Sequence, residues 1–199
     1  GTQYSVEAST GNNANYGIIY NGNYTANVTH NGLSANTTYY YKSRVKNLDG
    51  VWTNYTAEVS THTLAVIPGA ITFVNKSSGS VVVSWGDSNP AGTQYSLVYS
   101  SGDNSNYLPL YSGIYVATVN QAALDSNTTY YYKVRAINTD GVSTTYNTEA
   151  STHTYAATPG AISFVDKSTG SVVISFANTN PATSGTHYSV QYSSGDNLN

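Results

Sequence analysis

The sequence has no cysteine, no methionine and little charge: of its 199 residues, 9% are Asp, Glu, Lys or Arg. Ordinary soluble domains carry roughly a quarter. Without cysteine there is no disulfide framework, no thiolate metal site and no cysteine nucleophile. Seven basic against ten acidic residues give a net charge of −3, which disfavours a nucleic-acid surface, since that needs a basic stripe. Long apolar runs are missing too. The longest, Leu64 to Val74, is interrupted by Pro68 and Gly69 and is too short to span a membrane. No secretion leader stands at the start and the first residue is glycine, so the expectation is a processed product or a fragment.

What is present is equally biased. The chain holds 26 Ser, 26 Thr, 22 Asn and 20 Tyr. Hydrophobic residues still make up 39%, enough to build a core, so wholesale disorder is disfavoured.

Self-comparison shows the organisation. Residues 60–91 and 151–182 are identical at 21 of 32 positions, at an offset of 91. The same offset relates Leu33 to Leu124, Gly50 to Gly141 and His62 to His153. Two added residues in the stretch 180–187 then move the offset to 93, so that Gly92 maps onto Gly185. A period near 90 residues is too long for a solenoid unit and suits a small β-sandwich. The expected division is a rear part (strands C to G) at 1–63, a complete repeat at 64–154 and a front part (strands A to C) at 155–199.

Valines and aromatics alternate with period two at 81–85, 94–99 and 129–137, and period two is the signature of strands. Asn-Pro, Ser-Gly-Asp-Asn and Asn-Thr-Asp-Gly break the runs with turn chemistry. The expected fold class is all-β. Pro68 opens the first strand, the second ends in Trp85, and a Tyr95-x-Leu97-x-Tyr99 strand follows. Leu124 precedes Tyr130 by six residues, and Tyr130 begins a run that reaches Gly141. In these features the complete repeat resembles a fibronectin type III domain, an immunoglobulin-like β-sandwich. The resemblance extends into the partial copies on both sides.

The resemblance implies a structural core of Trp85, its counterpart Phe176, and two tyrosine corners, Leu124 with Tyr130 and Leu33 with Tyr39. Along the strand beginning at Tyr130, Tyr130, Tyr132, Val134 and Ala136 should point inward, and Tyr131, Lys133 and Arg135 outward. In the first copy Ser43 and Val45 replace the valine and the alanine, which puts that strand's register or its packing in question.

No catalytic set stands out. His62 and His153 recur as repeat features, and His30 and His187 have no carboxylate at suggestive spacing. No cofactor is expected. The loop at 101–106, echoed by Asp196, has oxygen ligands but lacks the spaced acids of a calcium loop; Asn12 and Asn13 stand there in the first copy. Six Asn-x-Ser/Thr sequons, at Asn23, Asn27, Asn36, Asn54, Asn75 and Asn127, are about what composition alone supplies. The turns Asn47–Gly50 and Asn138–Gly141 lack Arg-Gly-Asp and read as tight turns. Tyr40 and Tyr131 could stack on sugars or simply favour the strand.

Two functions fit. The first is a non-enzymatic structural segment of an extracellular or cell-surface fibre, filament or adhesin. Its partners would be neighbouring repeats or identical subunits, with surface carbohydrate or a protein receptor as further candidates. The second is a spacer or accessory module of a secreted polysaccharide-degrading enzyme. The unequal ends admit a window cut from a longer array or head-to-tail assembly with donated strands. The 15-residue overlap, which supplies strand C twice, favours the window.

Overall fold

The structure, a computed structural model, describes residues 1–11 and 13–195. The fold is all-β. Among the described residues, seven strands build the middle repeat: β5 (Ile71–Lys76), β6 (Ser80–Trp85), β7 (Gln94–Ser101), β8 (Leu108–Ile114), β9 (Val119–Ala122), β10 (Thr129–Ile137) and β11 (Ala150–His153). They form a three-stranded sheet, β5-β6-β9, and a four-stranded sheet, β11-β10-β7-β8, with antiparallel pairing throughout. The first strand begins at Ile71, three residues beyond Pro68.

The two sheets enclose one apolar core. Ile71, Val81, Val83 and Trp85 come from one side; Tyr95, Leu97, Tyr130, Tyr132, Val134 and Ala136 come from the other. Along β10 every second residue from Tyr130 to Ala136 is buried, the alternation expected of a strand with one covered face. Trp85, 2% exposed, packs its ring against Tyr95, Tyr111 and Tyr115 at centroid distances of 5.8, 6.2 and 5.8 Å. The hydroxyl of buried Tyr132 donates to Gln121 Oε1 at 2.8 Å, so a polar atom deep in the core is satisfied.

Thr and Asn side chains complete the edge of the four-stranded sheet. Before β11 the chain runs beside β10 without a regular ladder. Thr144 Oγ1 accepts the Ala136 N–H at 3.1 Å and Asn147 Oδ1 accepts that of Val134 at 2.9 Å. Thr53 and Thr56 do the same for Val45 and Ser43 in the first copy. The polar bias of the sequence therefore pairs backbone groups that would otherwise lack partners.

The first copy holds β1 (Gln3–Thr10), β2 (Gly17–Gly22), β3 (Thr38–Lys46) and β4 (Val59–His62) in one sheet, β2-β1-β3-β4. Ser43 lies opposite Val6 and Val45 opposite Tyr4, the register that Val134 and Ala136 have with Leu97 and Tyr95. The register is thus unchanged, and among the described residues no second sheet covers the face on which the serine sits. The third copy holds β12 (Ser163–Lys167) paired with β13 (Val172–Ser175). Residues 186–195, in the stretch expected to supply its strand C, form no strand; in the middle repeat the equivalent strand pairs with β8 and β10, and no such pairing forms among the described residues of the third copy.

Leu124 and Leu33 are half-buried, as is Phe176, whose ring lies 5.4 Å from that of Tyr188. Tyr130 and Tyr39 are buried. Their hydroxyls accept the N–H of Asp125 and of Ser34, each at 2.9 Å. Tyr130→Phe should lower the stability of the middle repeat by about 1 kcal/mol, the net worth of such a bond. Chemical denaturation measures this, and an unmoved midpoint would contradict it.

The tyrosines also set the alkaline limit. Burial pushes the hydroxyls of Tyr95 and Tyr132 well above their ordinary 10.0. Desolvation, reinforced by donation to Glu58, raises Tyr16 to about 12. A group with a raised folded pKa contributes stability in full below its unfolded value and loses it as pH rises through the folded one. Denaturation midpoints should therefore fall as pH climbs from about 10. Phenolate absorbance should show one class of tyrosines that ionises only as the fold is lost; a single class titrating near 10 would refute this.

Candidate interface between repeats

The outward side chains of β10 are taken up within the repeat. The Lys133 ammonium lies 3.5 Å from the ring centre of Tyr107 and 5.1 Å from that of Tyr146; Arg135 lies 5.0 Å from Tyr146. The Tyr107 hydroxyl donates to Glu149. The first copy repeats the set, with Lys42 3.6 Å from Tyr16, 4.3 Å from Tyr55, and Tyr16 donating to Glu58. That bond, followed by one from Asn13, lowers the Glu58 carboxyl pKa. Tyr40 and Tyr131 are half-buried within their strands.

Asp103 in the 101–106 loop accepts N–H bonds from Ser105 and Asn106, and its pKa is lowered chiefly by Ser105. The carboxylate thus closes a turn. Asn12 and Asp196 lie outside the described residues. Among the described residues no group of three His, Cys, Asp or Glu could hold a metal ion, and no helix is long and apolar enough to cross a membrane.

A built polar site occurs where repeats meet. Asn36 stands in the turn before β3 with φ of 42°, a conformation that asparagine tolerates better than most residues. Its N–H donates to Leu64 O at 3.1 Å. The side chain then reaches into the next repeat: Nδ2 donates to Thr93 Oγ1 at 2.9 Å, and Oδ1 accepts the Thr139 N–H at 2.9 Å. Thr93 is buried, and its hydroxyl donates to Pro90 O at 2.7 Å.

The turn Asn138–Gly141 closes the same joint from the other side. Gly141, at φ of 80°, allows the tight return, a conformation only glycine adopts without strain. Asn138 Oδ1 accepts the Val142 N–H, while its Nδ2 donates to Thr63 O at 3.3 Å. His62 Nδ1 lies 2.7 Å from Asp140 Oδ1, and the His62 N–H donates to Asp140 Oδ2 at 3.2 Å. Imidazole and carboxylate are thereby engaged with each other across the joint.

The second joint repeats the asparagine-to-threonine contact of the first. Asn127, at φ of 47°, donates its N–H to Tyr155 O and its Nδ2 to Thr186 Oγ1 at 2.8 Å and Ser184 O at 3.0 Å. The two inserted residues are absorbed locally: Ser184 takes over the bond to the proline carbonyl, donating to Pro181 O at 2.7 Å. Asn89 holds the first linker by both backbone groups of Val66, at 2.7 and 3.0 Å. Asn180 holds Ala157 at the same two distances. His153 is exposed beside a cleft of about 510 Å³ that Asn127, Thr128 and Ser184 also line.

Comparison with known proteins adds little at the level of sequence. No family model matches the chain, and no curated protein is similar to it. Among solved structures it is similar to the crystal structure of chicken contactin FN1-FN3 domains, with a TM-score of 0.41 and 14% identity. The match covers 77% of this chain and 54% of that one. This chain thus spans about half that neighbour's length, and the likeness is too distant to carry function.

The joint was not legible in advance. In the sequence Asn36 and Asn127 read only as sequons, and Asn138–Gly141 only as a turn. The signal that could have found them is their recurrence at the 91-residue offset together with Thr93 and Thr186, which stay aligned across the insertion. Asn23, Asn27, Asn54 and Asn75 are exposed, whereas Asn36 and Asn127 are half-buried with their amides committed to the joints.

Proposed function

We propose that this chain is a non-enzymatic structural segment of an extracellular or cell-surface fibre, filament or adhesin, in which sandwich repeats are set at fixed joints. The observation that carries the reading is the recurrence of one joint at two places: Asn36 on Thr93 and Asn127 on Thr186. A flexible tether between modules needs no such lock, since Gly/Ser-type linkers leave the modules free to move. Locked joints convert copy number into reach and stiffness. The low charge and the Thr, Ser, Asn and Tyr bias support the same reading, as does cohesion through side-chain-to-backbone bonds.

An antiserum raised against residues 64–154 tests it on intact producing cells. Surface or fibre labelling that external protease removes is the expected result. Labelling confined to the cell interior would overturn the proposal. Labelling that co-purifies with a secreted polysaccharide-hydrolysing activity would favour the spacer reading instead.

A further inference from the structure

The joint between the first copy and the middle repeat holds a titratable pair that the asparagine contacts do not use. Asp140 meets His62 at both carboxylate oxygens. The ring Nδ1 lies 2.7 Å from Oδ1, and the His62 N–H donates to Oδ2 at 3.2 Å. Two contacts from one residue fix the direction of the carboxylate. His62 ends β4 and Asp140 stands in the turn after β10, so the pair ties one repeat to the next.

Both halves of the pair recur at the 91-residue offset. Asp49 holds the place of Asp140 in the turn of the first copy, and His153 holds the place of His62 at the end of β11. In the first joint the imidazole comes from the earlier repeat and the carboxylate from the later one.

The surroundings leave the pair to itself. The joint is built of residues 34–38, 63–65, 92–94 and 138–141, and in these segments Asp140 is the one Asp, Glu, Lys, Arg or His. Across the ladder His62 faces Thr38. Asp87 is taken up by the N–H of Asn89 and the hydroxyl of Tyr95. The cations of β3 and β10 stand over tyrosine and tryptophan rings of their own repeats.

Imidazole is the side chain whose charge ordinarily changes between about pH 5 and 8. A neutral ring keeps the contact as its Nδ1–H tautomer, whereas a protonated ring sets a full opposite charge at hydrogen-bond distance. We infer that the His62–Asp140 pair is a pH-sensitive latch, which tightens the joint at mildly acidic pH and loosens it toward alkaline pH. The sign follows from linkage: a proton that strengthens the closed joint is released as the joint opens, so closure is favoured most where that proton is bound. With 21% and 43% of the two side chains exposed, the pair ranks with surface ion pairs. Its loss should raise the open fraction about two- to fivefold. In a fibre built on such joints, stiffness follows the acidity of the surroundings; that consequence rests on the structural-repeat reading, and the latch itself does not.

Spin labels at Val59→Cys and Ile114→Cys, exposed positions in a cysteine-free chain, report the joint. They read the latch best in an Asn36→Gly chain, where the open fraction is raised. Between about pH 5.5 and about pH 8 the labels outside the closed-joint distance should increase about two- to fivefold. Salt at about 1 M should shrink that change by screening the pair. Asp140→Asn keeps the shape of the side chain without its charge, and should leave the open fraction equal at both pH values. A pH response that survives Asp140→Asn, or no response in the parent chain, would overturn the latch. The denaturation midpoint of the middle repeat should hold constant between the two pH values; a parallel fall would place the titration in the fold and overturn the latch as well. None of these outcomes touches the structural-repeat reading, which the labelling of producing cells decides.

Discussion

Trp85→Ala should destabilise the middle repeat by about 3–5 kcal/mol, the range for deleting a large core aromatic. A small domain holds only about 5–15 kcal/mol in total, so most of the variant's stability margin would go. The reason is positional. Trp85 closes β6 and fills the space between the two sheets, touching the rings of Tyr95, Tyr111 and Tyr115. Alanine leaves a cavity that three rings on two strands and a loop cannot all collapse into. Trp85→Phe is the discriminating companion. The indole Nε1 is buried without a hydrogen-bond partner, so phenylalanine removes an unpaired donor while keeping a ring. That change should cost less than about 1.5 kcal/mol, and Phe176 already occupies the equivalent place in the third copy. Amide exchange along β7 and β10 measures both, and equal losses for the two variants would contradict this account of the core.

The second large effect concerns the joints. Replacing Asn36 and Asn127 together by glycine keeps the positive φ of both turns while deleting the side-chain bonds. Glycine is the right probe because alanine would add backbone strain of its own. At the first joint Asn36 gives up its bonds to Thr93 and to Thr139. At net values of about 0.5–1.5 kcal/mol each, the closed joint should lose about 2 kcal/mol, a roughly thirtyfold rise in its open fraction. Protease cleavage in the linkers at 63–67 and 154–158 should rise accordingly, with the middle repeat's own midpoint holding within about 0.5 kcal/mol. Unchanged cleavage would mean that the asparagines decorate the joint without holding it.

These two variants mark the line between what could be read from the residues and what could not. The core was legible: period-two alternation placed Tyr130, Tyr132, Val134 and Ala136 on one face, and the structure buries all four. A repeat with a local period announces itself in a single window. Joints do not, because Asn36 meets residues 57 and 103 positions away, and only the fold brings them together. The stretch 186–195 failed for a related reason. Its match to the first residues of the chain reads as a strand, but a strand exists only with ladder partners, and no ladder pairs it among the described residues. Ser43 puts the register in question in the sequence, and the pairing of β1 with β3 answers it. The polar composition, at first an exclusion, acquires a use in Thr144 and Asn147, which stand in for a sheet ladder.

The central claim is that neighbouring repeats are locked at a fixed joint. The most direct test is a distance distribution between spin labels across it, at Val59→Cys on β4 and Ile114→Cys on β8, both exposed strand positions in a cysteine-free chain. The account predicts one narrow distance peak that broadens when Asn36 is replaced by glycine. A broad distribution in the unmodified chain, or a narrow one that Asn36→Gly leaves unchanged, would contradict it.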